Sequence, residues 1–308
     1  LIVATENEAQ PPEDGGQEDP GAGGPQQPAQ PDASSGTPSS EGEGEELDTP
    51  ESVVKVAVDP SDIFVDASED GSTRAKVAVG AELLEEAFAL LRDAENGPAT
   101  VLLEIVGSYD AAEVTLPAEL WARGGEVPPG AVLAVATEKG AIELPLDLFD
   151  VDGFAAEMGA EVSDLSIRVT IAAAPEEIAA GLARQAAADG LQVKGQAMEF
   201  SVHIEAGGQE KQIDDFGSTY VTRKLFLNIA VDPNTHTVVR YDPATGSLAF
   251  VPALFAASGD GTWVTAKRTG TSVYAVVGGT KTFGDIAGHW AEHAIAQLAS
   301  KRVVFGAA

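Results

Sequence analysis

The first basic side chain in this sequence is Lys55, and thirteen acidic residues precede it, from Glu6 to Glu51. Residues 5–50 are built mainly from Pro, Gly, Gln, Ser, Glu and Asp, as in Pro20-Gly21-Ala22-Gly23-Gly24-Pro25. Ordering each residue costs about 1–2 kcal/mol of backbone entropy, and such a stretch has too little apolar area to offset it. Residues 1–51 are therefore expected to be a disordered, self-repelling acidic linker, with folded material beginning near Ser52. A tail that captures calcium or a basic partner is the other use of such a charge run. Leu1-Ile2-Val3-Ala4 differs in kind. It reads as the last strand of something upstream, or as a strand lent to a neighbour.

The 308 residues suffice for about two domains. Lys and Arg number 18 against 49 Asp and Glu, a formal net charge of −31. That balance excludes nucleic acid, which needs clustered cations, and argues equally against an anionic membrane surface. No run approaches the roughly 20 apolar residues of a membrane-spanning helix. The start has neither the charged nor the apolar region of a signal peptide, so the chain reads as a mature or excised fragment. Cysteine is absent, which removes disulfides, thiolate metal sites and cysteine nucleophiles together. A secreted protein of this composition suits a Gram-positive surface, although a cysteine-free chain also fits a cytosol.

From Ser52 the period of the apolar residues changes several times. Val53, Val54, Val56 and Val58, then Ile63-Phe64-Val65, then Lys76-Val77-Ala78-Val79 read as short strands. Leu84, Ala87, Phe88 and Leu91 recur at i, i+3, i+4 and i+7, one face of a helix over residues 81–95. Residues 101–106 form an apolar strand. Val114-Thr115-Leu116-Pro117 and Ile142-Glu143-Leu144-Pro145 repeat one pattern: a strand, a proline that ends it, and a helical turn. Residues 132–136 and 142–144 read as a hairpin around Glu138-Lys139-Gly140. A helix over 152–159 and a strand over 165–171 follow.

Pro175 with Glu176 and Glu177 opens a second long helix ending at Asp189-Gly190. Beyond it lie alternating strands over 199–205 and 220–231. Two expected hairpins follow. One joins 238–241 to 248–251 across Asp242-Pro243-Ala244-Thr245-Gly246, and the other joins 263–266 to 272–277 across Thr269-Gly270. The expected fold class is β-rich α+β. It comprises a mixed α/β module (52–174), a β-sandwich-like module (175–280) and a short helical segment (281–308).

That last segment carries the most specific pattern. Asp285 precedes a helix whose apolar stripe, Trp290, Ala294, Ile295 and Leu298, is expected to be buried. Phe283, Asp285, Gly288-His289-Trp290-Ala291, Ile295, Leu298-Ala299, Val304 and Gly306 together resemble the first half of an S-layer homology (SLH) domain. The resemblance covers about 24 residues. The family's basic glycan-gripping segment would lie beyond Ala308, so its main ligand-binding residues are not carried over. Residues 52–280 are also similar to a region found upstream of SLH repeats in bacterial surface proteins. That likeness rests on Tyr220-Val221-Thr222-Arg223, Tyr241-Asp242-Pro243-Ala244-Thr245-Gly246, Phe250-Val251-Pro252, Asp260-Gly261 and Ser272-Val273-Tyr274-Ala275-Val276. It implies a stalk or assembly module between exported domains and a wall anchor.

Chemistry finds little support in the residues. His289 and His293 are spaced i, i+4, which can place two imidazoles on one helix face for a metal, with Asp285 as a third ligand. Trp290 stands where a zinc protease needs its Glu, and the SLH-like pattern accounts for His289 without a metal. No Gly-x-Ser-x-Gly elbow, phosphate-binding loop or EF-hand loop is present. Paired acids such as Asp214-Asp215 are expected by chance among 49. No catalytic residue, metal ligand or cofactor is therefore nominated, and the chain is expected not to be an enzyme.

Three function classes follow. The first is an extracellular, wall-anchored structural protein, an S-layer or filament subunit held through SLH repeats to cell-wall polysaccharide, with homo-oligomeric assembly. The second is the non-catalytic linker and anchoring region of a larger secreted polysaccharide hydrolase. The third, an enzyme in its own right, lacks a nucleophile–base or metal constellation.

Overall fold

A computed structural model describes residues 3–5, 52–69, 71–92, 99–281 and 283–304. Most of the expected linker and Gly306 lie outside the described residues. The strands are β1 (Val3–Thr5), β2 (Ser52–Ala57), β3 (Phe64–Ala67), β4 (Thr73–Ala78), β5 (Ala99–Glu104), β6 (Ala111–Pro117), β7 (Val132–Ala136), β8 (Gly140–Pro145) and β9 (Ser166–Ala173). They continue with β10 (Gln192–Ala206), β11 (Gln209–Gln212), β12 (Val221–Leu227), β13 (His236–Asp242), β14 (Ser247–Val251), β15 (Ala253–Ser258), β16 (Gly261–Arg268) and β17 (Ser272–Gly278). The α-helices are α1 (Ala81–Arg92), α2 (Glu119–Ala122), α3 (Val151–Met158), α4 (Glu176–Ala188) and α5 (Glu292–Ser300).

Two sheets hold these strands. The first runs β1-β2-β5-β7-β8-β12-β16-β15, the second β14-β13-β17-β10-β9-β6-β4-β3 with β11 added to β10. The chain passes repeatedly from one sheet to the other. This explains three parallel pairs, β2 with β5, β5 with β7 and β4 with β6. A strand that leaves its sheet, runs back through the opposite one and returns does so in its original direction. Parallel neighbours thus arise here without a helix for every crossover. Among the passages between sheets in the described residues, only β4 to β5 carries a long helix, α1; α4 joins β9 to β10 within the second sheet. The buried face of α1 is Leu84, Ala87, Phe88 and Leu91, as the spacing predicts.

The expected boundary between residues 174 and 175 is not a boundary between sheets. β8 pairs with β12 in the first sheet, and β9 pairs with β10 in the second. Buried residues of both sheets form one core cluster, including Val101, Leu133, Ile142, Leu225 and Val264 from the first and Val114, Val169, Phe200, Val202 and Tyr274 from the second. A second, smaller cluster lies under α4, where Leu182 and Ala186 meet Val239, Tyr241, Val273, Ala275 and Val277. β17 is thus covered on both faces, which explains its unbroken apolar run.

The 132–144 hairpin forms as β7 and β8. The 238–251 hairpin forms as β13 and β14, and Gly246 takes the left-handed conformation (φ 68°) that its turn requires. The third expected hairpin does not form. β16 pairs with β12 and β15, whereas β17 pairs with β10 and β13 in the other sheet. The Thr269–Thr271 backbone instead bonds to residues 214–216: Phe216 N donates to Thr269 O at 2.7 Å, and Thr271 N to Asp214 O at 3.1 Å. Both Leu-Pro segments end their strands as expected, one in each sheet, but only Pro117 leads into a helical turn, α2. Pro145 leads into a turn closed by Leu148 N donating to Pro145 O at 3.1 Å, and the two segments touch. The Trp121 indole N–H, carried on α2 after Pro117, donates to Pro145 O at 3.0 Å.

Phe200 joins the layers: its ring packs edge-on to Tyr274 (centroids 6.0 Å apart) and lies against Gly140 at the start of β8. It is fully buried. Phe200→Ala is expected to cost about 3–5 kcal/mol through lost burial and the cavity left behind. Urea unfolding should show a lower midpoint with an unchanged slope, and a midpoint equal to the parent's would refute this packing.

Candidate functional site

The least ordinary residue of the core is Arg223. On β12 it shares a face with Val221, Leu225 and Leu227, all three of which belong to the main core cluster. It is 0% exposed. No carboxylate is paired with it among the described residues. Its Nη1 donates to Val221 O at 2.9 Å and Arg268 O at 3.2 Å, and its Nη2 to Gly270 O at 2.5 Å. The guanidinium lies 5.1 Å from the Tyr274 ring centroid and 5.9 Å from that of Phe216, and the Tyr274 hydroxyl also donates to Gly270 O, at 2.9 Å. Loss of hydration pulls its pKa below the ordinary arginine value, yet a guanidinium remains a cation throughout the working pH range.

The location explains the partners. Arg268 ends β16 and Ser272 begins β17, so residues 269–271 carry the chain from the first sheet to the second. Carbonyls on such a crossing have left one ladder and not yet joined the other, and burying them unpaired is costly. Arg223 and Tyr274 supply the donors. Its two Nη atoms are spent on backbone carbonyls and its faces lie against rings, while its buried Nε has no hydrogen-bond partner among the described residues. The signal was present in the sequence: alternation along β12 places Arg223 in a core register.

The SLH-like stretch is organised differently from its expectation. Phe283 caps a 3₁₀ turn over Gly284–Ile286 that contains Asp285, and Gly288 follows with φ 77°. Gly288 N donates to Glu292 Oε2 at 2.6 Å, and Ala291 N to His289 Nδ1 at 3.2 Å. α5 begins only at Glu292, so Asp285 does not cap it. The expected burial of the stripe fails. Trp290 is 91% exposed, Leu298 41%, Ala294 is exposed and Ile295 half-buried, whereas Ala299 and Ser300 are buried. The reason is reach, since only the last turn of α5 meets the body. There Arg302 pairs with Asp189 at the end of α4, and Ser300 Oγ accepts from Lys281 N at 3.0 Å while donating to Ala296 O at 2.7 Å. Trp290 is left with its neighbour His289, ring centroids 5.4 Å apart.

The histidines do not converge. His203 on β10 faces Glu210 at 3.2 Å, His236 Nδ1 sits 2.9 Å from Asp232 O, and His293 is exposed on α5. Among the described residues no group of three or more His, Asp or Glu is placed to hold a metal ion. A cleft of about 340 Å³ is lined by Glu85, Phe88, Pro117, Leu120, Arg123 and Val162. Arg123, the only cation among its described lining residues, is already held by Glu85 at 3.0 Å and Glu126 at 3.3 Å. No helix of the described residues is long and apolar enough to cross a membrane. No protein-family model, curated protein or solved structure matches the chain.

Two outcomes are expected. Arg223→Met keeps the volume but strips donors from three carbonyls, and should cost about 2–4 kcal/mol in chemical denaturation; a neutral result would show that the crossing does not depend on it. Asp189→Ala should loosen α5, raising amide exchange in residues 292–302. The body's unfolding midpoint should move by less than about 1 kcal/mol, because the pair is partly solvent-exposed.

Proposed function

We propose that this chain is a non-enzymatic structural module of a bacterial surface protein, the stalk or assembly unit of an S-layer or surface filament. It works outside the cell, held to cell-wall polysaccharide through SLH repeats that begin near residue 281. Within this reading, residues 52–280 form the stalk as one body, its two sheets shared across residue 174. The observation that supports it most is the joint at the base. The SLH-like stretch is tied to the body by the Arg302–Asp189 pair and the burial of Ala299, while the Lys281–Ser300 hydrogen bond holds the start of the stretch against the end of α5. A stalk must pass its orientation to its anchor, and a bonded seat does so where a free linker would not. A formal charge of −31 also suits a module that stays solvated at a crowded surface.

Co-sedimentation tests the reading. The full-length protein is expected to pellet with purified cell-wall sacculi and to stay in solution once hydrofluoric acid has stripped their polysaccharide. Failure to pellet with intact sacculi, or equal pelleting with stripped ones, would overturn it. Release of reducing sugar from the wall by the same protein would favour the alternative, the non-catalytic region of a larger polysaccharide hydrolase.

A further inference from the structure

The first sheet is closed in an unusual way. β1 lies antiparallel on the outer edge of β2, with Val3 opposite Val56, Ala4 opposite Lys55 and Thr5 opposite Val54. Without β1, β2 would be the sheet's edge, since its other neighbour is β5. An uncovered edge presents a row of backbone donors and acceptors that recruits another strand. This chain covers its edge with its own first strand, yet the connection is far longer than the geometry needs. Between the paired Thr5 and Val54 lie 48 residues, where antiparallel neighbours are commonly joined by about 2–5. Thirteen acids and no base fall within that connection, so it repels itself and an acidic body alike.

We propose that β1 is an exchangeable strand: the β2 edge of one copy takes residues 3–5 of a second copy, linking neighbours through the same three-pair ladder. Each copy offers one donor strand and one acceptor edge, so exchange gives closed pairs or open head-to-tail chains. No new surface is required, because the ladder is the one the chain already makes with itself. Closure on its own edge competes. By random-coil scaling, 48 residues span about 5–6 Å × √n, roughly 40 Å, which sets an effective concentration on the order of millimolar. Exchange between copies takes over when the local concentration of chains reaches that range. A wall-anchored array supplies such a setting, and only that setting rests on the function proposed above.

The cysteine-free chain makes the test direct. Ala4→Cys and Lys55→Cys place thiols on directly opposed residues of the ladder. The doubly substituted full chain is oxidised across a concentration series and read on a non-reducing gel. In parallel, the two single variants are mixed, with Ser258→Cys on β15 replacing Lys55→Cys as the off-ladder control. The expected result is a closed monomer at low concentration. Multiples of the 31.6 kDa chain mass should grow in until about half the cross-linked material is intermolecular near millimolar protein. The mixed single variants should yield heterodimer well above the control. A double variant that gives only closed monomer, or no cross-link at all, overturns the proposal, as does a mixture no different from the control. Sacculus binding by the full-length protein is read separately, so the anchoring reading stands or falls on its own result.

Discussion

A single buried guanidinium holds the place where this fold is hardest to close. Arg223 reaches from the first sheet to the carbonyls of Arg268 and Gly270, on the strand end and turn that carry the chain into the second. A charge in a core normally needs a carboxylate partner to offset its lost hydration. Here the compensation comes from three carbonyl dipoles and the electron-rich faces of Tyr274 and Phe216. Tyr274 both faces the cation and donates to Gly270 O, so ring, cation and carbonyl fix one another. Gly270 fits because a side chain there would run into Asp214 O, 2.5 Å from the position of its Cβ.

That crossing is one of many. The chain moves from one sheet to the other after β2, β4, β5, β6, β8, β11, β12, β14 and β16. Each passage ties residues distant in sequence into the same core, and the two halves of the body cannot be separated without tearing both sheets. The helices follow from this arrangement. α1, on the passage from β4 to β5, packs against β2 and β5. α4 covers the outer face of β17, which is otherwise apolar on both sides. On the uncovered part of the second sheet's outer face, cross-strand charges take over: Arg168 lies between Glu113 at 3.5 Å, Glu205 at 2.5 Å and Glu210 at 2.7 Å, and Arg74 adds to Glu113 at 3.1 Å.

The acidic excess is distributed to match. Of the 49 acidic residues, 13 precede Lys55, leaving 36 against 18 bases in the remainder. Many of those bases are taken up locally by pairs such as Lys211–Glu157 at 2.6 Å and Lys224–Glu143 at 2.7 Å. The body therefore shows its environment a surface dominated by carboxylates. Against that background Trp290, 91% exposed, is the most uncovered large apolar side chain among the described residues, ahead of Leu254 and Phe64 on the body.

Local order was readable from the residues themselves. The i, i+3, i+4, i+7 spacing of Leu84, Ala87, Phe88 and Leu91 defined α1, Pro175 and Asp189-Gly190 bounded α4, and the Asp242–Gly246 turn joined β13 to β14. These signals are short-range: a helix face, a cap or a left-handed turn residue is decided within a few positions of the chain. Which sheet a strand joins is decided by partners tens of residues away, and periodicity is silent on that. So β16 and β17, separated only by residues 269–271, looked like a hairpin and lie in different sheets. The expected boundary after residue 174 falls between β9 and β10, which pair with each other. Exposure of Trp290 was settled the same way, because whether a side chain is covered depends on what the assembled sheets bring to it.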